Sequence, residues 1–146
     1  MIYMKGNKDL QFVDTNVLVY AYDVSAGEKH EIAKELLKEL WYERNGCLST
    51  QVLQEFYVTI TKKVKKPLSP VEAAEIISDL RSWKLSVIDI KDTLEAIRVS
   101  QRYMISFWDS LIIVSAVNLD CEIIWSEDLN LGQYFGKVRV QNPFNK

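Results

Sequence analysis

Short apolar runs recur along the chain, separated by longer stretches in which apolar residues return every three or four positions. The runs occupy 10–13, 47–49, 85–88 and 121–125, with a fifth at 138–140. Each has the length of a strand buried on both faces. Between the first two, the segment 30–42 sets Ile32, Ala33, Leu36, Leu37 and Leu40 at helical spacing, with Glu and Lys elsewhere, which predicts an amphipathic surface helix. The segment 51–63 repeats the signal through Val52, Leu53, Phe56, Tyr57 and Ile60. Ser69, Pro70 and Glu72 then supply an N-cap, a first-turn proline and a capping-box acid for a helix running to about Ser82. A further helix is predicted over 93–103. The next, over 106–118, is apolar on nearly every side from Leu111 to Val117, so it is expected to be buried. Strands alternating with helices predict an α/β fold: a mainly parallel sheet covered on both faces, with ligands gathering beyond the carboxyl ends of its strands.

Composition narrows the class. With 146 residues and 48% hydrophobic content, the chain fits one domain over 1–146 with a full core. It has no linker-like, low-complexity or repeated stretch to mark an internal boundary. A net charge of −2 argues against holding nucleic acid by bulk charge and leaves only local patches for that role. Cys47 and Cys121 lack the spacing of a disulfide framework or zinc knuckle, so a reducing cytoplasm is expected. No run approaches the roughly 18 apolar residues of a membrane span, and Met1 to Leu10 lacks the apolar centre of an export signal.

Four acidic residues stand where this fold would place chemistry. Asp14 follows the first run in "QFVDTN", either as the cap of a helix over 17–22 or as a functional group beside Thr15 and Asn16. Glu55 sits at the edge of its helix's apolar stripe, one turn from Gln51 and Thr59. Asp109 lies three residues after Ser106, which suits a capping box, but it opens a helix that is apolar all round and has no Lys or Arg within a turn. Burying such a charge is costly unless it is paired or ligates a metal. Asp128 follows the fourth run in "IIWSEDLN", after Ser126 and Glu127, so Asp14 and Asp128 end two strands at one rim. Two carboxylates 4 Å apart repel by about 4 kcal/mol at an effective dielectric near 20. An internal Lys or Arg, protonation of one acid, or a divalent ion would relieve that repulsion. His30 is the only histidine, which excludes a histidine-rich zinc or iron site. An all-oxygen set suits Mg²⁺ or Mn²⁺.

The stretches "FVDTNVLVYAYD", "STQVLQEFYVTITKK", "FWDSLIIVSAVNLDCEIIWSEDLNLGQ" and "VRVQNPF" resemble a PIN domain, in particular the small toxins of the VapC type. The resemblance implies a three-layer α/β fold with a central, mainly parallel sheet flanked by helices, and a metal-dependent ribonuclease. It assigns the four acids, in order, to Asp14, Glu55, Asp109 and Asp128 as catalytic and metal-holding residues around one or two Mg²⁺ or Mn²⁺ ions. Thr15, Asn16 and Ser126 become supporting neighbours, and Glu127 competes with Asp128 for the fourth position. It also implies a cognate antitoxin, a homodimer and an RNA substrate.

For RNA, the run "KKVKK" offers Lys62, Lys63, Lys65 and Lys66, with Arg98, Arg102, Lys137 and Arg139 as further cations. The same lysines also complement a helix C-terminus. Trp41, Tyr42, Tyr57, Phe107 and Trp108 are candidates for base stacking, with core packing expected for at least half of them. The competing reading is a non-catalytic PIN-like module that binds RNA or protein. A haloacid-dehalogenase-like phosphatase is disfavoured because Asn16 stands where a second Asp belongs. No Gly-rich phosphate loop is present.

Overall fold

The computed structural model describes residues 9–129 and 132–145, so much of the Met1–Leu10 segment considered above lies outside the described residues. The chain order is β1 (Gln11–Val13), α1 (Thr15–Tyr22), a 3-10 turn at Val24–Ala26, α2 (Glu28–Glu43), β2 (Gly46–Ser49), α3 (Thr50–Lys62), α4 (Pro70–Leu80), β3 (Lys84–Ser86), α5 (Ile90–Tyr103), α6 (Phe107–Asn118), β4 (Ile123–Trp125), β5 (Tyr134–Phe135) and β6 (Val138–Gln141). Among the described residues these strands form one six-stranded sheet in the order β3-β2-β1-β4-β6-β5. All neighbours pair in parallel except β5 with β6.

Phe12 and Val13 on β1, and all four residues of β2, are buried. Successive strand residues face opposite ways, so both faces of the sheet centre are covered. Helices α1 to α4 pack in succession, α1 on α2 and α3, and α3 on α4. Helix α5 packs on α6, which lies against β2, β3 and β4. The expectation for α6 follows through: every residue from Ser110 to Ala116 is buried.

Of the differences from the sequence expectation, three have a clear local reason. Helix α1 begins at Thr15 because Asp14 caps it directly, its Oδ1 accepting the Thr15 N–H at 2.7 Å. Helix α5 starts at Ile90 because Asp89 and Asp92 form a reciprocal capping box, which also ends β3 early. The hairpin β5–β6 was not legible as two strands. Its two-residue loop, Gly136 and Lys137, is permitted by a glycine at φ 64°, as at the first central position of a type II′ turn.

The strand order carries the functional consequence. From β1 the chain proceeds outward on one side to β2 and β3, then crosses back so that β4 pairs with the other side of β1. Strand order therefore reverses at β1, and the crevice beyond the carboxyl ends of β1 and β4 is the switch point where open α/β sheets bind ligands.

Candidate active site

Three helices begin at this rim, each with an oxygen at its N-cap. Asp14 caps α1. Ser49 caps α3, its Oγ accepting from the Val52 N–H at 3.2 Å, and Ser106 caps α6, accepting from the Asp109 N–H at 3.0 Å. The same three starts carry the acids: Asp14 at the cap, Glu55 one turn into α3, and Asp109 in the first turn of α6. Their N-terminal dipoles favour negative charge there.

Asp14 is buried, and its backbone N–H still pairs with the carbonyl of Trp125 at 3.0 Å. Its Oδ2 accepts the hydroxyl proton of Ser126 at 2.8 Å. The Ser126 oxygen accepts the N–H groups of Asp128 and Leu129, both at 3.2 Å. With its lone pairs engaged, Ser126 has only its proton left to offer, so it holds the Asp14 carboxylate in one orientation. Glu55 is half-buried: Oε1 accepts from Thr15 Oγ1 at 2.7 Å and Oε2 from Gln51 Nε2 at 3.3 Å. Asp128 is exposed and accepts from Asn16 Nδ2.

Glu127 turns elsewhere. Its carboxylate accepts from Tyr20 Oη at 2.9 Å and is ion-paired with Lys29. The structure thus brings Asp128, not Glu127, into the company of Asp14 and Asp109.

Mutual repulsion links the titration of these acids. Burial pushes Asp14 up to about 6, and the charges of Asp109 and Asp128 add to the shift against the opposing hydrogen bonds from Ser126 and Thr15. Asp109 is also raised, first by burial and then by Asp128 and Glu55. Among the described residues no Lys or Arg is ion-paired with any of the four acids. No three of them converge tightly enough, as they stand, to enclose an ion by themselves. Mg²⁺ does not require that, because it is usually held by one or two carboxylates and keeps several waters. An all-oxygen set whose buried member lacks a countercharge fits such an ion.

The cations and aromatics considered above distribute unevenly. Lys62, Lys63, Lys65 and Lys66 are exposed at the far end of α3, with Lys62 about 10 Å along the axis from Glu55 at 1.5 Å per residue. Lys137 stands at the amino end of β6, on the opposite rim, paired with Asp120 at 3.0 Å. Arg98 pairs with Glu95 and Arg102 lies over Tyr103. Trp41 packs edge-on to the buried Trp83, and Tyr57 and Phe107 are half-buried, whereas Tyr42 and Trp108 are exposed. Two grooves, of about 320 Å³ beside Tyr22, Leu37 and Trp41 and about 600 Å³ beside Leu36, Tyr42 and Trp125, lie apart from the acids.

A profile of the PIN domain family matches residues 12–136, most of the chain and all four acids. The chain belongs to the PIN domain family. Solved PIN-like structures share its fold: a Mycobacterium tuberculosis toxin, VapC20, described as cleaving the sarcin–ricin loop, is 20% identical with a TM-score of 0.65, covering 88% of this chain and 98% of its own. A toxin–antitoxin complex from Klebsiella pneumoniae is 18% identical with a TM-score of 0.65, covering 93% and 99%. DNA-bound VapBC from Salmonella typhimurium is 13% identical with a TM-score of 0.64, also covering 93% and 99%. Among curated protein sequences none matches significantly. Among the described residues of this PIN domain, no helix is long and apolar enough to cross a membrane.

What sequence reasoning missed is Gln51. Its Nε2 bonds both Glu55 and the carbonyl of Trp108, the latter at 3.2 Å. The i, i+4 spacing of Gln51 and Glu55 was a visible signal, but the reach to Trp108 was not.

Proposed function

We propose that this PIN domain is a metal-dependent endoribonuclease, the toxin of a toxin–antitoxin pair, hydrolysing RNA phosphodiester bonds with one or two Mg²⁺ or Mn²⁺ ions. The observation that carries the reading is the buried Asp14 carboxylate at the switch point, coupled to Asp109 and Asp128 with no ion-paired cation among the described residues. Asp14 and Asp109 are the inner ligands, Glu55 a ligand or water-orienting base, and Asp128 a second-ion or water-mediated contact. When bound, a divalent ion supplies an acidified water and offsets charge on the phosphate oxygens. Thr15, Asn16 and Ser126 hold three of the carboxylates in place. Lys62, Lys63, Lys65 and Lys66 bind the RNA backbone farther along.

Several solved neighbours are toxin–antitoxin assemblies, which supports a cognate antitoxin that occludes the acidic rim. Ile90, Leu94 and Ile97, exposed at i, i+4 and i+7 on α5, support a homodimer by offering an apolar stripe to a second copy. The deciding experiment is a Mg²⁺ and Mn²⁺ titration with pooled RNA, comparing wild type with Asp109→Asn. Metal-dependent cleavage that disappears in the variant is expected. Cleavage indifferent to chelator and to the substitution would favour the metal-free or non-enzymatic readings, and no cleavage at all would favour the non-catalytic binding module.

A further inference from the structure

Gln51 connects acids that arrive on different helices. It is the second residue of α3 and is 6% exposed. Its amide nitrogen donates to Glu55 Oε2 at 3.3 Å and to the carbonyl of Trp108, the residue before Asp109, at 3.2 Å. Both partners are acceptors only, so the opposite amide orientation would set three oxygens against one another, and chemistry fixes the nitrogen on that side. The other Glu55 oxygen takes the Thr15 hydroxyl proton at 2.7 Å. Thr15, Glu55, Gln51 and Trp108 thereby form one hydrogen-bonded strap across the starts of α1, α3 and α6, the three helices that carry Asp14, Glu55 and Asp109.

The second observation concerns the other end of the same amide. Gln51 Oε1 is buried with no hydrogen-bond partner among the described residues. A buried acceptor left unmet is destabilising, and a residue present only for packing would do better as an apolar side chain of the same length. The geometry points to Gln51 as a positioning residue: it sets the spacing between Glu55 and the Asp109 turn so that both can serve one cation. The inference rests on the metal-dependent reading above and adds a residue to its machinery.

The test measures Mn²⁺ affinity by calorimetry, melting temperature without metal, and kcat and KM for RNA cleavage. It compares wild type, Gln51→Met, Gln51→Asn, Glu55→Gln and the double variant carrying Gln51→Met with Glu55→Gln. Both Gln51 variants are expected to lose about tenfold in Mn²⁺ affinity and in kcat, the low end of the effect of removing a group that orients metal ligands. KM stays within about twofold, because substrate contacts are untouched. Gln51→Met melts at or above the wild-type temperature, a result that a merely structural glutamine would not give. The double variant is no worse than Glu55→Gln alone, since Gln51 acts through Glu55. Gln51→Asn keeps an amide but is too short to span both acceptors, so it reports on the strap if Gln51→Met misfolds. Wild-type Mn²⁺ affinity and kcat in either folded Gln51 variant, or additive losses in the double variant, overturn the inference. A wild type that binds no Mn²⁺ overturns it together with the nuclease reading, and is recognised without any variant.

Discussion

Glu127 and Asp128 are neighbours in one turn, yet the fold treats their charges in opposite ways. Glu127 meets Lys29, whose ammonium also lies 5.1 Å from the Tyr20 ring and 5.5 Å from that of Phe144, and it accepts the Tyr20 hydroxyl. Its charge is neutralised by the protein. One residue on, Asp128 joins Asp14 and Asp109, whose proton affinities its charge raises, and among the described residues no Lys or Arg is ion-paired with any of the three. A chain able to build the first arrangement could have built the second the same way. On the proposed reading, the acids left without an ion pair are the ones that would take a cation from solution, while the Lys29–Glu127 pair braces the turn that presents Asp128.

The sharpest break of this contrast is Asp14→Asn or Asp109→Asn. Each is expected to reduce Mg²⁺-dependent RNA cleavage by about a thousandfold or more, the equivalent of several kcal/mol of lost charge stabilisation. Both variants keep wild-type circular dichroism. Cleavage rates of the purified variants check this, and full activity in either removes that residue from the site.

Next in size is a pH effect on stability of the metal-free protein. Burial holds the folded Asp14 carboxyl at about 6, above its ordinary 3.8. Between those values the folded state keeps a proton that the unfolded chain has released. The stabilisation is therefore full below the lower value and is lost as pH rises through about 6. The shift corresponds to about 3 kcal/mol at most. Melting temperatures at pH 5 and pH 8 should differ in favour of pH 5, and Asp14→Asn should flatten the difference. Added Mg²⁺ should reverse the trend, stabilising more at pH 8 than at pH 5, because ligation needs the deprotonated acid.

Glu127→Gln tests the compensated side. It should cost a few degrees of melting temperature at most, since Lys29 remains in water, and lower kcat only several-fold by loosening the turn before Asp128. Loss comparable to Asp14→Asn would move Glu127 into the site itself. The smallest effect expected is from Lys62→Gln with Lys63→Gln: weaker RNA binding with kcat unchanged. Each phosphate contact removed lowers the salt slope by about 0.7, as for single strands. Fluorescence binding titrations at several salt concentrations measure it.

Much of this was legible from residue order. The positions of β1, β2, β4 and β6 followed from apolar runs, and α2, α3, α4 and α6 from helical spacing and caps, because burial and capping are local demands written into periodicity. Asp14, Asp109 and Asp128 could be named as candidates because each follows a strand or opens a helix, and Glu55 because of its place at the edge of an apolar stripe and the family resemblance. The choice between Asp128 and Glu127 was not legible, since both end the same strand and differ only in what distant elements bring to them: Asn16 for one, Tyr20 and Lys29 for the other.

What the sequence by itself determined, then, was which segments become strand or helix, and that three carboxylates stand at strand ends or helix starts and a fourth within a helix. Tertiary structure alone decided which of them meet. The reversal of strand order at β1 sets the ends of β1 and β4 side by side, and the Gln51 amide spans from α3 to a carbonyl 57 residues away. Pairings of that kind depend on how elements pack across the sheet, and a charge becomes compensated or exposed to its like only after packing has chosen its neighbours.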